Sequence, residues 1–349
     1  MDTQFSASDP PLRGAIIGFG NVASHAHLPL WLKDKRFQIA AVTEPDPERA
    51  ALAKKQLPNT PVFSDVKSML ASVQPDFVDI CTPPSYHTEQ IIQALESNAH
   101  VFCEKPLITS LESLKKILRT PNPADKVIFT VNNWKYAPLL ALAIQLVEEN
   151  RIGVVTNAEL NILRIHGSGG GASDWRRRPG IAGGGILLDH GWHQLYLLTT
   201  LMQAMPAAVS AQMRYTDEGG SDLEETVDLI MRYPDREARL HLTWQASERR
   251  CHGIIKGERG VIAIQDDHLV VTIEDQAPTR HSFDEALSGG SQHLEWMEPV
   301  IDNFYQEIHD PVVRGANFDE AQQCMLLIHY AYQSQQKKSR YIDITQPSL

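Results

Sequence analysis

Two side chains in this sequence have the types and spacing that proton transfer needs. Asp189 and His193 stand four apart in the run Gly183-Gly184-Gly185-Ile186-Leu187-Leu188-Asp189-His190-Gly191-Trp192-His193. A helix over this run puts both on one face. A carboxylate beside an imidazole fixes its tautomer and supports the imidazolium, and histidine titrates near neutral pH, so the pair suits a general base. A helix start with an acidic first turn and a satisfied histidine explains the same pair equally well. A metal held by Asp189, His190 and His193 is a poorer reading, because adjacent helix residues diverge and no second cluster supplies the missing ligands; no metal is expected. Lys105 lies in Glu104-Lys105-Pro106, and Cys81-Thr82-Pro83-Pro84-Ser85-Tyr86-His87 precedes it. Each follows a short apolar run of strand character. Ligands of open α/β sheets bind outside such strand ends, where a lysine reaches a reacting oxygen. The plain alternative for Lys105 is a surface lysine.

The string Gly18-Phe19-Gly20-Asn21-Val22-Ala23 has the pattern G-x-G-x-x-A. Gly18 permits a tight turn, Gly20 lets backbone approach a pyrophosphate, and Ala23 lets the helix pack on its strand. The helix start near Val22 aims free amides at the phosphates. Glu44 follows at the end of the next strand, placed to accept hydrogen bonds from an adenosine ribose and to repel a 2′-phosphate. Together these point to a dinucleotide, NAD in preference, with NADP open. A plain strand-to-helix turn is the alternative. Pro29 should kink the first helix, and His25 and His27 read as partly exposed residues beside the kink.

These residues need a scaffold. At about 150 residues per domain, 349 residues suggest two domains. Segments 15–17, 37–43, 77–81, 99–103 and 127–131 read as strands, with helices at 46–56, 88–96 and 111–118 between them. Strands alternating with helices mean a parallel sheet. Thr109 and Glu112 have capping-box spacing before the third helix. A helix from Pro138 towards Asn150, a long strand at 154–165, a Gly-rich loop over 167–185 and a helix at 186–203 follow. Strand candidates at 208–215, 226–233, 238–244, 252–256, 261–264 and 269–273 are separated only by turns, which suggests an antiparallel or mixed sheet. Helices at 294–308 and 318–333 close the chain. The expected fold is α/β, a dinucleotide-binding domain at 1–133 and a second domain at 134–349, to which the resemblance described below assigns substrate binding and oligomerisation.

Hydrophobic residues make up 42% and charged residues 21%, an ordinary globular composition. The net charge of −11 repels phosphate backbones, so nucleic acid is not an expected partner. Cys81, Cys103, Cys251 and Cys324 form no C-x-x-C pair. Neither a disulfide framework nor a zinc ribbon is indicated, and a reducing, cytoplasmic compartment is expected. The start MDTQFSASDPP lacks a basic segment and an apolar run, so no signal peptide is expected. No stretch approaches the roughly 18 apolar residues of a membrane span.

The glycine string, Thr82-Pro83, His87, Glu104-Lys105-Pro106 and the Gly183 to His193 segment, in this order and spacing, resemble the Gfo/Idh/MocA oxidoreductases. The likeness extends to Asn133-Trp134-Lys135-Tyr136-Ala137-Pro138, to Ile152-Gly153 and to Ala331-Tyr332-Gln333-Ser334. It implies a Rossmann domain, then a C-terminal α/β domain on an open-faced, largely antiparallel sheet that mediates homodimers or homotetramers. It implies a dinucleotide held by Gly18, Phe19, Gly20, Asn21, Val22, Glu44, Thr82, Pro83, His87, Glu104, Lys105 and Asn133. The nicotinamide would lie near Lys105 and His193, with substrate towards Lys135, Trp175 and Arg176. It allows a cis Lys105–Pro106 bond. Relatives often carry Asp where Tyr196 stands and Arg where Lys135 stands. The run Arg176-Arg177-Arg178 is heavier in charge than usual and suits an anionic substrate or a solvated loop. The implied activity is hydride transfer between NAD(P) and a secondary alcohol of a sugar, cyclitol or polyol. His193 would act as base, Asp189 orient it, and Lys105 steady the alkoxide. Two other readings fit the resemblance: an NAD-dependent glycosidase working by transient oxidation and elimination, and a non-catalytic NAD-binding sensor.

Overall fold

The computed structural model describes residues 10–121, 125–165, 175–215, 222–290 and 293–344. The first part of the Gly-rich loop, 167–174, lies outside them.

Six strands form a parallel sheet: β1 (Leu12–Ile17), β2 (Phe37–Thr43), β3 (Val62–Phe63), β4 (Phe77–Ile80), β5 (His100–Cys103) and β6 (Ile128–Thr130). Their order is β3-β2-β1-β4-β5-β6. The strand order reverses between β1 and β4, and a doubly wound sheet opens its ligand crevice there. Every residue of β4 and β5 is buried, as expected of strands covered on both faces. The connecting helices are α1 (Leu28–Lys33), α2 (Pro47–Gln56), α3 (Val66–Val73), α4 (His87–Glu96) and α5 (Leu111–Arg119). Asp46 caps α2 by accepting the Arg49 amide at 3.0 Å. Ser110, not Thr109, caps α5, accepting the Ser113 amide at 3.1 Å.

After α6 (Pro138–Glu148) a second sheet begins with β7 (Val155–Ile165). Then come α7 (Pro179–Ala182), α8 (Trp192–Met202), β8 (Ala208–Tyr215), β9 (Glu224–Arg232), β10 (Glu237–Ala246), β11 (Arg250–Gly257), β12 (Gly260–Gln265), β13 (His268–Ile273) and β14 (Thr279–Ser282). The chain ends with α9 (Leu294–His309), α10 (Ala316–Gln336) and β15 (Ile342–Asp343). The nine strands run β14-β13-β12-β11-β7-β10-β9-β8-β15. All neighbours are antiparallel except β7 and β10, so the sheet is mixed. Helices α6, α8 and α10 pack against it. The short strands β3, β14 and β15 and helix α3 were not foreseen.

Two departures from the expected pattern bear on function. The first helix does not simply kink at Pro29: a π turn, Ala23–His27, runs into α1, where the proline sits near the start. The helix expected at 186–203 likewise opens with a π turn, Leu187–Gly191, before α8. Each π turn rotates the residues after it relative to an α-helix, and such turns gather at functional sites. Helix α9, at the far end of the sequence, packs on the parallel sheet. Phe304 joins Trp31, Phe37, Phe77, Phe102 and Phe129 in one aromatic core, its ring 5.2 Å from Phe102.

Candidate active site

The glycine turn leaves the end of β1. Gly18 has φ +87°, and a Cβ there would stand 2.8 Å from the Thr82 methyl, so only glycine fits. A Cβ on Gly20 would meet nothing within 4 Å. That open space over backbone is what a pyrophosphate needs, with the first amides of the helix, from Asn21 and Val22, beside it. The residues present therefore fit a dinucleotide. Glu44 is buried at the end of β2; Oε2 accepts the Phe19 amide at 2.7 Å and Oε1 accepts the Asp46 amide at 2.9 Å. Phe19 departs from expectation: its ring is wholly buried in the core and its amide is given to Glu44, so it shapes the turn from behind.

Beyond β4, the Thr82 hydroxyl donates to Gln90 Oε1 at 2.6 Å, and Pro83 leads into the 3-10 turn Pro84–Tyr86. His87 also departs from its expected place. It is fully buried, with Nδ1 3.0 Å from Pro106 O and Nε2 2.7 Å from Thr82 O. It braces the loops after β4 and β5 against each other. Burial outweighs those carbonyls and lowers its pKa.

Lys105 follows β5, and its bond to Pro106 is cis. Its Nζ crosses to the second domain, donating to Asp189 Oδ1 at 2.8 Å and Asp189 O at 3.0 Å. Asp189 Oδ2 has Arg176 Nε at 3.9 Å and His190 Nδ1 at 3.4 Å. Burial opposes ionisation of Asp189, but Lys105, His190 and Arg176 hold its carboxyl well below the usual range.

The expected Asp189–His193 partnership does not form. His193 Nδ1 instead lies 2.9 Å from Tyr196 Oη, which accepts the Trp134 amide at 3.0 Å, and the imidazole stacks on Trp134 with centroids 5.5 Å apart. The π turn is the reason: its extra residue per turn turns Asp189 away towards Lys105, leaving His193 to the three-residue spacing within α8. Burial first, then the charges of Lys105 and His190, push the His193 pKa well below 6.5. His193 is neutral at physiological pH.

Asn133 and Lys135 lie in the 3-10 turn Asn133–Tyr136. Lys135 Nζ pairs with Glu320 of α10 at 2.9 and 3.0 Å, and Glu320 also accepts Asn132 Nδ2 at 2.5 Å. Trp175 stacks under Arg176, guanidinium 4.4 Å from the ring. Both line a cleft with Pro84, Pro106, Asp189 and Trp244.

Three groups escaped sequence reasoning. Glu224 of β9 accepts the amides of Gly185 and Leu187 at 2.9 and 3.0 Å and the Tyr332 hydroxyl at 2.9 Å, anchoring the start of the second π turn. Glu320 pins Lys135. His27, expected near the surface, is 1% exposed. Its Nδ1 lies 2.9 Å from Asp79 Oδ1 and its Nε2 3.0 Å from Glu104 Oε1, while Trp31 Nε1 donates to Asp79 Oδ2 at 2.7 Å. Burial disfavours its charge, but Asp79 outweighs that and raises its pKa well above 6.5. Both ring nitrogens donate to carboxylates, so His27 is an imidazolium. Glu104 Oε2 then accepts the Lys105 amide at 3.1 Å, which links His27 to the lysine backbone. The ligand atoms of His27, Asp79 and Cys81 lie within 4.8 Å of one another. They do not suit a metal, because the imidazolium N–H fills the space and burial pushes the Cys81 thiol far up.

Comparison with known proteins fits this geometry. Residues 12–132 match the family model described as the Gfo/Idh/MocA oxidoreductase family, NAD-binding Rossmann fold, and residues 140–263 match the Gfo/Idh/MocA C-terminal domain. The chain belongs to the Gfo/Idh/MocA family. Its N-terminal domain is that family's NAD-binding Rossmann domain. It is 30% identical to D-glucoside 3-dehydrogenase of Escherichia coli (strain K12) over 53% of this chain and 52% of that protein. It is 28% identical to levoglucosan dehydrogenase of Pseudarthrobacter phenanthrenivorans over 61% of this chain and 57% of that protein. The chain thus spans little more than half the length of these curated relatives. A solved structure of levoglucosan dehydrogenase with NADH and levoglucosan superposes with TM-score 0.81 at 22% identity, covering 96% of this chain and 100% of that one. At that identity the likeness establishes the fold.

Proposed function

We propose that this Gfo/Idh/MocA protein is an NAD-dependent oxidoreductase that moves hydride between the nicotinamide and a secondary alcohol or ketone of a sugar, cyclitol or related polyol. The observation that carries the reading is the Lys105–Asp189 pair, 2.8 Å apart, bridging the end of β5 to the π turn beside neutral His193. A binding scaffold has no need of a half-buried charge pair next to an uncharged imidazole. The sugar class is supported by the names of relatives, D-glucoside 3-dehydrogenase and levoglucosan dehydrogenase.

Residues 1–133 would hold the dinucleotide and residues 134–349 the substrate. When bound, NAD supplies the hydride acceptor or donor. Of the three ammonium hydrogens on Lys105, two are engaged with Asp189, which leaves one for a substrate oxygen. In oxidation that charge stabilises the developing alkoxide. His193, held neutral by burial, takes the hydroxyl proton on Nε2 while its Nδ1–H is donated to Tyr196 Oη. In reduction the proton returns along the same path. Asp189 positions Lys105 rather than His193. Glu44, a buried carboxylate at the ribose end of the cradle, favours NAD over NADP.

No helix among the described residues is long and apolar enough to cross a membrane. All four cysteines are free, in keeping with a cytoplasmic location. Along β7 and β9 buried residues alternate with less buried ones, so one face of the nine-stranded sheet is less covered than the other, which supports a homodimer or homotetramer built on that face.

The test is a dehydrogenase screen over sugars, cyclitols and sugar acids with both dinucleotides, read at the nicotinamide absorbance band. NADH accumulating with a polyol substrate supports the reading. Dinucleotide binding without turnover of any compound points to a sensor, and glycoside cleavage without net NADH to the elimination chemistry; either overturns it.

A further inference from the structure

We propose that the cleft lined by Asp189 and Trp244 is built for a substrate carboxylate, with Arg164 as the group that receives it, so that the substrate is an acidic sugar or polyol. This rests on the oxidoreductase reading and names its substrate class.

Arg164 stands one residue before the end of β7, in line with Ala158, Leu160 and Ile162 on the face that α8 covers, and it is 2% exposed. Nη1 donates to Leu163 O at 3.0 Å and to Cys251 Sγ at 3.3 Å, and Nε has no partner. Among the described residues no carboxylate pairs with it. Asp266, near Cys251, is already engaged by the Cys251 amide at 2.9 Å and by the Ser288 amide and hydroxyl. A buried guanidinium without a counter-ion is costly, and folded chains keep such charges paired. This chain has 43 acidic residues, so the missing partner is not for want of carboxylates.

Two more buried polar atoms near it make no hydrogen bond. Parallel pairing of Thr243 with Leu163 sets Trp244 next to Arg164, and Trp244 Nε1 is buried and unpaired. His190 Nδ1 makes no hydrogen bond, with Asp189 Oδ2 3.4 Å away, and its ring stands 6.1 Å from that of Trp244. Trp244 lines the same cleft as Asp189 and Arg176. Positive charge gathers there. Burial and then Arg164 disfavour the Arg249 cation, and burial, opposed by Asp189 and joined by Arg164, Lys105 and Arg249, takes the His190 pKa down to about 3. Asp189 is the carboxylate facing these groups, and Lys105 already holds it. Arg164 Nε and Trp244 Nε1 are buried, so a carboxylate that reaches them leaves water and is held by charge-assisted bonds. The planar fork of arginine matches a carboxylate, and one negative charge beside Asp189 is tolerated better than the two of a phosphate.

Calorimetry on the full chain loaded with NADH decides this. Hexuronates and aldonates are titrated against their neutral hexose and alditol counterparts and against hexose phosphates. The acids should bind roughly 10- to 100-fold more tightly than the neutral compounds, the worth of one or two charge-assisted hydrogen bonds. Arg164→Met should abolish that preference, leave NADH affinity unchanged, and hold or raise Tm, because it removes an unpaired buried charge. A structural arginine would instead lower Tm. Arg164→Lys keeps the charge without the fork and should weaken the preference, and Trp244→Phe, which removes one donor, should weaken it less. Equal binding of acid and neutral compounds, an undiminished preference in Arg164→Met, or tighter binding of phosphates overturns the carboxylate assignment. Failure of NADH itself to bind, measured first, overturns the oxidoreductase reading beneath it.

Discussion

Tyr196 decides what kind of base His193 is. Where relatives often place Asp, this chain presents a neutral phenol to Nδ1, 2.9 Å away. Asp189 offsets only part of what burial and the nearby Lys105 impose, and the imidazole stays uncharged well below pH 6.5. A base works only in its neutral form, so kcat for oxidation should stay flat as pH falls through 6.5 and decline only at more acidic pH. In Tyr196→Asp the new carboxylate favours the imidazolium, and the acid limb of the kcat profile should move up by roughly 1–3 units. An unmoved limb removes His193 as proton acceptor. The same role predicts that His193→Ala lowers kcat about 10²- to 10⁴-fold, and loss of less than about tenfold counts against it. Lys105→Met should lower kcat with little change in dinucleotide affinity, since Nζ faces Asp189 rather than the glycine turn.

At the scale of elements, the two π turns carry the site, one bringing His27 under Glu104 and the other swinging Asp189 onto Lys105. The second is clamped: a Cβ on Gly185 would lie 2.1 Å from the Glu224 carbonyl oxygen. Gly185→Ala should therefore force the turn off β9, destabilise the fold by about 1–3 kcal/mol, and cost activity beyond its effect on Tm, read by denaturant titration beside a rate assay. Wild-type stability in that variant would show that the clamp is loose. These turns also mark the limit of what residue order tells. Strand positions, the glycine cradle and the Lys105 loop were legible, because apolar runs bounded by turn residues have one cheap solution. The Asp189–His193 partnership was misread because helical spacing assumes an α-helix, and one extra residue in a turn leaves no mark in composition. His27 was missed for the same reason, and its two carboxylate partners are 52 and 77 residues away. Arg164 gives no sequence signal at all: its burial without a partner exists only once β7, β10 and β11 are side by side.

Across the whole molecule the buried histidines pull stability in opposite directions with pH. His27 has a folded pKa raised well above 6.5, so its contribution is complete below 6.5 and is lost as pH climbs through the folded value. His87, His190 and His193 are depressed, His190 to about 3, so below 6.5 the unfolded chain takes up protons that the native one refuses. Stability should therefore peak near neutrality and fall on both sides, the acid side through the depressed histidines and the alkaline side through His27. His27→Asn separates the two limbs. It leaves Asp79 and Glu104 facing each other without the cation, which should cost about 3–5 kcal/mol near pH 7, the penalty for breaking a buried ion pair. The alkaline limb should flatten in that variant while the acid limb keeps its shape. Denaturant midpoints for wild type and His27→Asn from about pH 4 to about pH 10 make the comparison. If the two curves run parallel across the alkaline side, His27 is uncharged in the native protein, and the coupling drawn from Asp79 through Glu104 to the backbone of Lys105 falls with it.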